Sequence, residues 1–286
     1  MNGNEVIYQN MEGVFMSVYT PQEVTELAAI SGQKKALLPL LPMLILGFFG
    51  GAFIALGYLL DIHVIGTMPK SWGSFTSFLG AAVFPIGLIL VILAGGELVT
   101  GNMMTVSIAW FSKKISFSKV LKNLLIVTIS NFVGAIFVAY FFGHIVGLTE
   151  GQFLAKTVSI AQAKLHDTPL QAFISAIGCN WLVCLAVWLS MSSKEFTGKV
   201  IGIWFPVMTF VAIGFQHVVA NMFVIPAAIF AGHLTWMEYL PNFIVVFFGN
   251  LVGGMLFVAL PYFLAYNKQG HSKNKTTELK KKSVTA

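Results

Sequence analysis

Glu97-Leu98-Val99-Thr100-Gly101-Asn102-Met103 and Gln216-His217-Val218-Val219-Ala220-Asn221-Met222 lie inside the two longest apolar runs of the chain. Residues 71–112 run for 42 positions with Glu97 as the only charge, and residues 200–237 run for 38 positions without Lys, Asp or Glu. A helix needs roughly 20 apolar residues to cross about 30 Å of hydrocarbon. Both runs are too long for one straight span and too short for two spans with a loop. Glycines stand beside the polar residue in each, Gly95, Gly96 and Gly101 in the first and Gly214 in the second. The economical reading is two half-helices separated by irregular backbone at membrane depth. Such backbone survives only where protein or a water-filled cavity satisfies it.

The two stretches align at an offset of 119, and the same offset aligns Asn131-Phe132-Val133-Gly134 with Asn250-Leu251-Val252-Gly253. Outward from them, residues 36–60, 123–149, 168–193 and 239–267 supply four uninterrupted spans. The expected fold is an all-α integral membrane protein of six spans, in repeats of about 36–149 and 168–267. Three spans per repeat is an odd number, so the halves are inverted, with the second and fifth helices broken. Broken helices at equivalent places in inverted repeats point to a substrate path at the repeat interface. An intramembrane enzyme or a scaffold is the weaker alternative.

Composition agrees. Hydrophobic residues make up 57% and charged residues 10%, against roughly a quarter charged in soluble domains. The net charge of +6 comes from 17 cations that are all Lys. They lie between the apolar runs and in the tail, which makes them a topology signal rather than a nucleic-acid surface. Lys34, Lys35, Lys113, Lys114, Lys119, Lys122, Lys194, Lys199 and six tail lysines fall on one side; Lys70, Lys156 and Lys164 fall on the other. The positive-inside rule then puts both termini in the cytoplasm. Trp72, Trp110, Trp236, Tyr239 and Tyr266 suit an interfacial aromatic belt. Residues 1–35 form a cytoplasmic segment without the basic start of a secretory signal. Within it Thr20-Pro21-Gln22-Glu23 reads as a capping box, with Val24, Leu27, Ala28 and Ser31 on one face of a short amphipathic helix. Residues 268–286 are a Lys-rich cytoplasmic tail, expected to be flexible. Cys179 and Cys184 are five apart in one apolar run and face different sides, so packing is expected and a mutual disulfide is not.

His217 is the one histidine expected deep in a membrane segment. His63, His166 and His271 are read as loop or tail residues, and His144 and His233 lie near segment ends. An imidazole there is costly unless paired and titrates near neutrality, so it is a functional candidate first. A neutral histidine capping a broken helix is the alternative. Glu97 holds the equivalent break, either as a proton or cation site or by accepting backbone N–H bonds at a half-helix N-terminus. Thr100 and Asn180 are able to bond His217 or substrate, or only a neighbouring helix. Lys164 is placed in the outer loop before the fourth span, where a cation raises local anion concentration; an ordinary solvated lysine is the plain alternative. Enzyme motifs are missing, including H-E-x-x-H, G-x-S-x-G and phosphate- or dinucleotide-binding glycine loops. No metal-ligand cluster stands out and no cofactor is expected.

Gly96-Glu97-Leu98-Val99-Thr100-Gly101-Asn102, Cys179-Asn180-Trp181-Leu182-Val183-Cys184-Leu185-Ala186-Val187-Trp188 and Gly214-Phe215-Gln216-His217-Val218-Val219-Ala220-Asn221-Met222 resemble the formate/nitrite transporter family. The resemblance covers about residues 20–267. It implies an aquaporin-like six-helix protomer in a homopentamer, with one pore per subunit, in the bacterial cytoplasmic membrane. His217 takes the place of the central pore histidine, Thr100 its partner, Asn180 a nearby polar group and Lys164 the vestibule cation. Phe84 and Phe210 would form the outer constriction; Leu88, Leu98, Val99 and Val183 the inner one. Glu97, Gln216, Asn102 and Asn221 would hold or tune the breaks. Many members carry Glu where this chain has Gln216, and several formate-type members carry Phe at the position of Val99. The implied function is pH-dependent passage of small monovalent anions, formate with proton coupling foremost. Nitrite, hydrosulfide and lactate-sized acids are the rivals within the family. A neutral-solute pore is the rival from another class, and its usual Asn-Pro-Ala at each break is absent.

Overall fold

The computed structural model describes residues 18–266, so the Lys-rich tail with His271 and the first 17 residues lie outside the described residues. Among the described residues there is no strand, only an isolated antiparallel bridge between Val18 and Ser193. Helix α1 (Pro21–Ala36) starts at the expected box: Thr20 accepts from the Glu23 backbone N–H while the Glu23 carboxylate accepts from the Thr20 N–H. Its buried stripe is Val24, Thr25, Ala28, Ala29, Gly32 and Ala36, with Leu27 and Ser31 only half-buried. The helix is thus rotated from the expected face, because small residues allow the closer approach.

Among the described residues six helices are long and apolar enough to cross a membrane: α2 (Leu40–Ile65), α3 (Ser74–Gly95), α5 (Phe117–Ile145), α7 (Pro169–Ser192), α8 (Phe196–Ile213) and α10 (Trp236–Tyr266). The two anomalous runs are broken as expected. After α3 the chain crosses Gly96-Glu97-Leu98 and re-enters a helix as α4 (Val99–Phe111). After α8 it crosses Gly214 to His217 and re-enters as α9 (Val218–Phe230). Helix α6 (Leu154–His166) is the surprise. The connection read as an outer loop is a helix that carries Lys164 and ends on His166. His63 is likewise not in a loop but in the last turn of α2, with Nε2 2.8 Å from the Leu148 carbonyl oxygen. Each inverted repeat therefore begins with a short helix, α1 or α6, followed by a span, a broken span and a span.

The first and third spans of each repeat lie along one another, α2 on α5 and α7 on α10. A Cβ on Gly134 would fall 1.9 Å from the Phe48 carbonyl oxygen, and one on Gly253 2.4 Å from that of Ile177. Glycine is what permits these backbones to touch, where dispersion rather than water drives association. Trp204 joins the repeats by donating its indole N–H to the Ala82 carbonyl at 2.6 Å. Large apolar side chains such as Leu41, Leu125, Ile129, Ile174, Phe205 and Phe248 are exposed along the spans. Tyr239, expected at an interface, is instead 3% exposed. Both cysteines are free and buried.

Candidate functional site

The irregular backbone at each break is held by asparagine. Asn131 Oδ1 accepts from the Val99 N–H at 2.9 Å, while its Nδ2 donates to the Gly47 and Glu97 carbonyls, both at 2.7 Å. Asn250 repeats this: Oδ1 accepts from the Val218 N–H at 2.9 Å, and Nδ2 donates to the Ala176 and Gln216 carbonyls at 2.8 and 3.0 Å. A second pair completes each clamp. Asn102 donates to Glu97 Oε2 and Asn123 Oδ1, and Asn221 donates to Gln216 Oε1 and Asn242 Oδ1. Asn123 then donates to the Lys35 carbonyl, and Asn242 to the Lys164 carbonyl. Gly95 and Gly214, 119 apart, both turn the chain through left-handed backbone, at φ +99° and +86°. Each unsatisfied buried polar group would cost about 1–3 kcal/mol, so these clamps make a break at membrane depth tolerable.

Leu98 and His217 occupy the same place in the two repeats. Their backbones nearly coincide, at φ/ψ of −112°/121° and −114°/119°, and each is the N-cap of the following half-helix. The histidine is 2% exposed. Its Nδ1 accepts from the Ala220 N–H at 3.1 Å, and its Nε2 lies 3.0 Å from Thr100 Oγ1. A nitrogen that accepts a backbone N–H carries no proton of its own, so the neutral ring has its proton on Nε2, facing Thr100. The expected cap is thus made by Nδ1, and Nε2 is left facing Thr100. Phe210 stacks on the imidazole, with ring centroids 5.7 Å apart.

Two cavities approach this contact from opposite sides. The one on the Lys164 side, called outer, is about 390 Å³ and reaches Phe84, Phe210 and His217. The one on the Lys35 side, called inner, is about 370 Å³ and reaches Leu88, Leu98 and Glu97. Phe84 and Phe210 meet edge to face at 5.8 Å. Val99, Thr100 and Val183 line neither cavity and are buried, and the buried layer that holds Val99, Thr100 and the His217 contact is called the plug. Asn180 does not bond His217. Its Nδ2 donates to the carbonyls of Asn250 and Thr100 at 2.7 and 3.2 Å, tying the second repeat to the first half-helix beside the plug.

Charge differs between the two mouths. In the inner cavity Lys35 Nζ pairs with Glu97 Oε1 at 2.8 Å, with Lys199 also lining the wall. In the outer cavity Lys164 Nζ donates to the Gly214 and Phe215 carbonyls at 2.9 and 3.0 Å. The residue at the Glu97 position is Gln216, whose amide donates to the Lys164 carbonyl and to Asp167 Oδ2. Burial pushes the Lys164 ammonium below the usual lysine range, opposed by Asp167 and Asp61 nearby.

Sequence reasoning missed Lys35, Asn123, Asn242, Asp61 and Asp167. The offset of 119 pairs Asn123 with Asn242 and would have found them. Lys35 and Lys164 are 129 apart, so that register hid their equivalence. Among the described residues no group of three or more His, Cys, Asp or Glu is placed to hold a metal ion.

The sequence profile described as formate/nitrite transporter matches residues 22–264. The chain is 60% identical to the uncharacterized transporter YrhG of Bacillus subtilis over 265 residues, covering 92% of this chain and all of that one. It is 58% identical to the formate channel BtFdhC of Bacillus thuringiensis over 260 residues, covering 91% and 100%. Among solved structures it is similar to a pentameric formate channel with formate bound, at a TM-score of 0.69 and 32% identity, over 79% of this chain and 97% of that one. These relatives are channels and transporters rather than enzymes.

Proposed function

The chain belongs to the formate/nitrite transporter family, and from that premise we propose that it forms a homopentameric, pH-dependent formate channel with a proton-sharing step at His217. The observation that carries this reading is the 3.0 Å contact between His217 Nε2 and Thr100 Oγ1 across the two breaks, in the plug between two cavities. Lys164 attracts the anion into the outer cavity. Leaving water disfavours the anion's charged form and raises its basicity. Between Phe84 and Phe210 it meets the Nε2 proton, and either accepts a hydrogen bond from it or crosses as the neutral acid. Thr100, Asn180, Leu88, Leu98, Val99 and Val183 shape the passage beyond, and Glu97, Gln216, Asn102 and Asn221 hold the breaks. Identity of 58% to a formate channel supports formate over nitrite and hydrosulfide. The lysine distribution supports a bacterial cytoplasmic membrane location with both termini inside.

Labelled formate uptake into liposomes holding the purified protein tests this, at external pH about 5.5 and about 7.5. Saturable uptake that is greater at the lower pH is expected, and nitrite and hydrosulfide as competitors rank the substrates. In His217→Phe the pH dependence should disappear; a wild-type pH profile in that variant would sink the proton-sharing role.

A further inference from the structure

Asp61 is a carboxylate that the passage described so far does not use. It is the only acidic residue of α2 and is 4% exposed, and its Oδ1 has no hydrogen-bond partner among the described residues. A buried carboxylate is stable when paired or hydrogen-bonded, so an oxygen packed without a partner disfavours the charge and favours a bound proton. The opposite helix makes room for it: a Cβ on Gly80 of α3 would fall 2.1 Å from Asp61 Oδ1. The outer cavity connects it to the chemistry, since Asp61, Lys164, Phe84, Phe210 and His217 all line that cavity. The volume of about 390 Å³ is many times the ~30 Å³ of a water molecule, room enough for a one-carbon anion and its waters.

The groups that face Asp61 are few. Tyr58 lies one turn earlier on α2, and Lys156 and Lys164 supply positive charge from α6. Asp167 lies on the wall just past α6, and His217 is at the floor. The face of α3 towards the cavity offers Ser77 and Ala81, neither titratable in the relevant range. With Asp61 ionised, the two lysines face two carboxylates, Asp61 and Asp167, and no positive charge is left over; with Asp61 neutral, one remains for a bound anion.

We propose that Asp61 is a protonation-dependent gatekeeper of the outer cavity: as a neutral carboxyl it donates its O–H to the carboxylate drawn in by Lys164, and as a carboxylate it takes the lysine charge for itself and keeps the anion out. Two carboxylates sharing one proton make a strong charge-assisted hydrogen bond, whereas two ionised ones repel. If the proton passes over, the substrate leaves as the neutral acid towards His217 and Asp61 is left ionised beside Lys164. The next proton then comes from the outside solution, so proton and anion enter together. This inference rests on the formate reading and adds a group that sets which protonation state the outer mouth accepts.

The test is the KM for labelled formate in oriented proteoliposomes, measured across external pH for the wild type and for Asp61→Asn. The amide keeps the shape and donates an N–H at every pH. Wild-type KM should rise about tenfold between mildly acidic and mildly alkaline external pH, the usual scale of losing one hydrogen bond to a charged group. The Asn variant should hold a nearly constant KM, several-fold below wild type at alkaline pH. Comparing variant with wild type at each pH cancels the changing amount of formic acid. Asp61→Ser supplies a second, smaller donor with the same expected flat profile, should the amide not fit against Gly80. Variants that follow the wild-type KM curve overturn this inference alone. A wild type that takes up no formate overturns the transport reading and this inference with it.

Discussion

The two breaks share one scaffold and carry opposite chemistry. Gly95 and Gly214 turn the chain alike, Asn131 and Asn250 grip the same backbone atoms, and Leu98 and His217 have backbone angles within a few degrees of each other. On this common frame the first repeat presents Leu98 and Thr100, and the second presents His217 and Val219. Symmetry solves the problem of irregular backbone in a membrane, which both halves face equally. Asymmetry then builds a hydroxyl–imidazole contact that neither half makes alone. The difference teaches that scaffold and chemistry are separable here, down to individual residues.

The largest expected effect tests the shared scaffold. Asn131→Ala and Asn250→Ala each leave buried backbone groups unpaired, costing about 3–6 kcal/mol from two or three such groups. Thermal unfolding of the detergent-solubilised protein should show similar losses; a large loss in only one would break the equivalence. Next comes the divergent pair. Thr100→Val copies Val219 and removes the hydroxyl facing Nε2, and formate uptake should fall about tenfold. The reciprocal Val219→Thr should leave uptake within about twofold, since no imidazole faces that position.

A smaller effect is expected from Glu97→Gln, which makes the first break read like the second. Lys35 loses its partner, and because its side chain is 23% exposed the stability loss should be only about 1 kcal/mol. The freed cation should raise formate uptake into inside-out vesicles, whose inner mouths face the bath, about twofold; unchanged uptake would mean that the inner mouth does not depend on this charge. The smallest effect separates two capping boxes. In α1 the Thr20 backbone N–H and hydroxyl hold Glu23 below the usual carboxylate range, whereas α7 uses Thr168 with uncharged Gln171. A lowered native pKa gives stability that is full above the unfolded carboxylate pKa and is lost as pH falls through the native one. Hydrogen exchange in the first turn of α1, once corrected for intrinsic rates, should therefore stay level from neutral pH down to about pH 4.5 and quicken as pH falls further, and that of α7 should not.

The spans, both breaks and the inversion were legible because lipid forbids charge and free backbone, which leaves long apolar runs and a repeated internal register. Less was legible where those constraints relax. Helix α6 has no capping box and a mixed polar pattern, and it lies at the mouth rather than across the membrane. Charge ended the first uncharged run at residue 60, so Asp61 and His63 were read as outside the helix, whereas α2 continues to Ile65 because Asp61 points into a cavity. His217 and Thr100 were read as partners from the resemblance, and the contact at 3.0 Å places them together. For Asn180 the sequence leaves His217, substrate and a neighbouring helix open, because sequence distance says nothing of which backbone an amide reaches; its amide reaches the Asn250 and Thr100 carbonyls.

The acceptor bond at Nδ1 of His217 has one more consequence, for turnover. A doubly protonated ring would lose the Ala220 bond and set a full positive charge in the plug, where low dielectric makes attraction to an anion strong. Such a site would be a trap, filled quickly and emptied slowly. On the proposed path a ring confined to one proton offers a shallow resting place instead, and a shallow well is what lets a pore that singles out an anion also release it at speed.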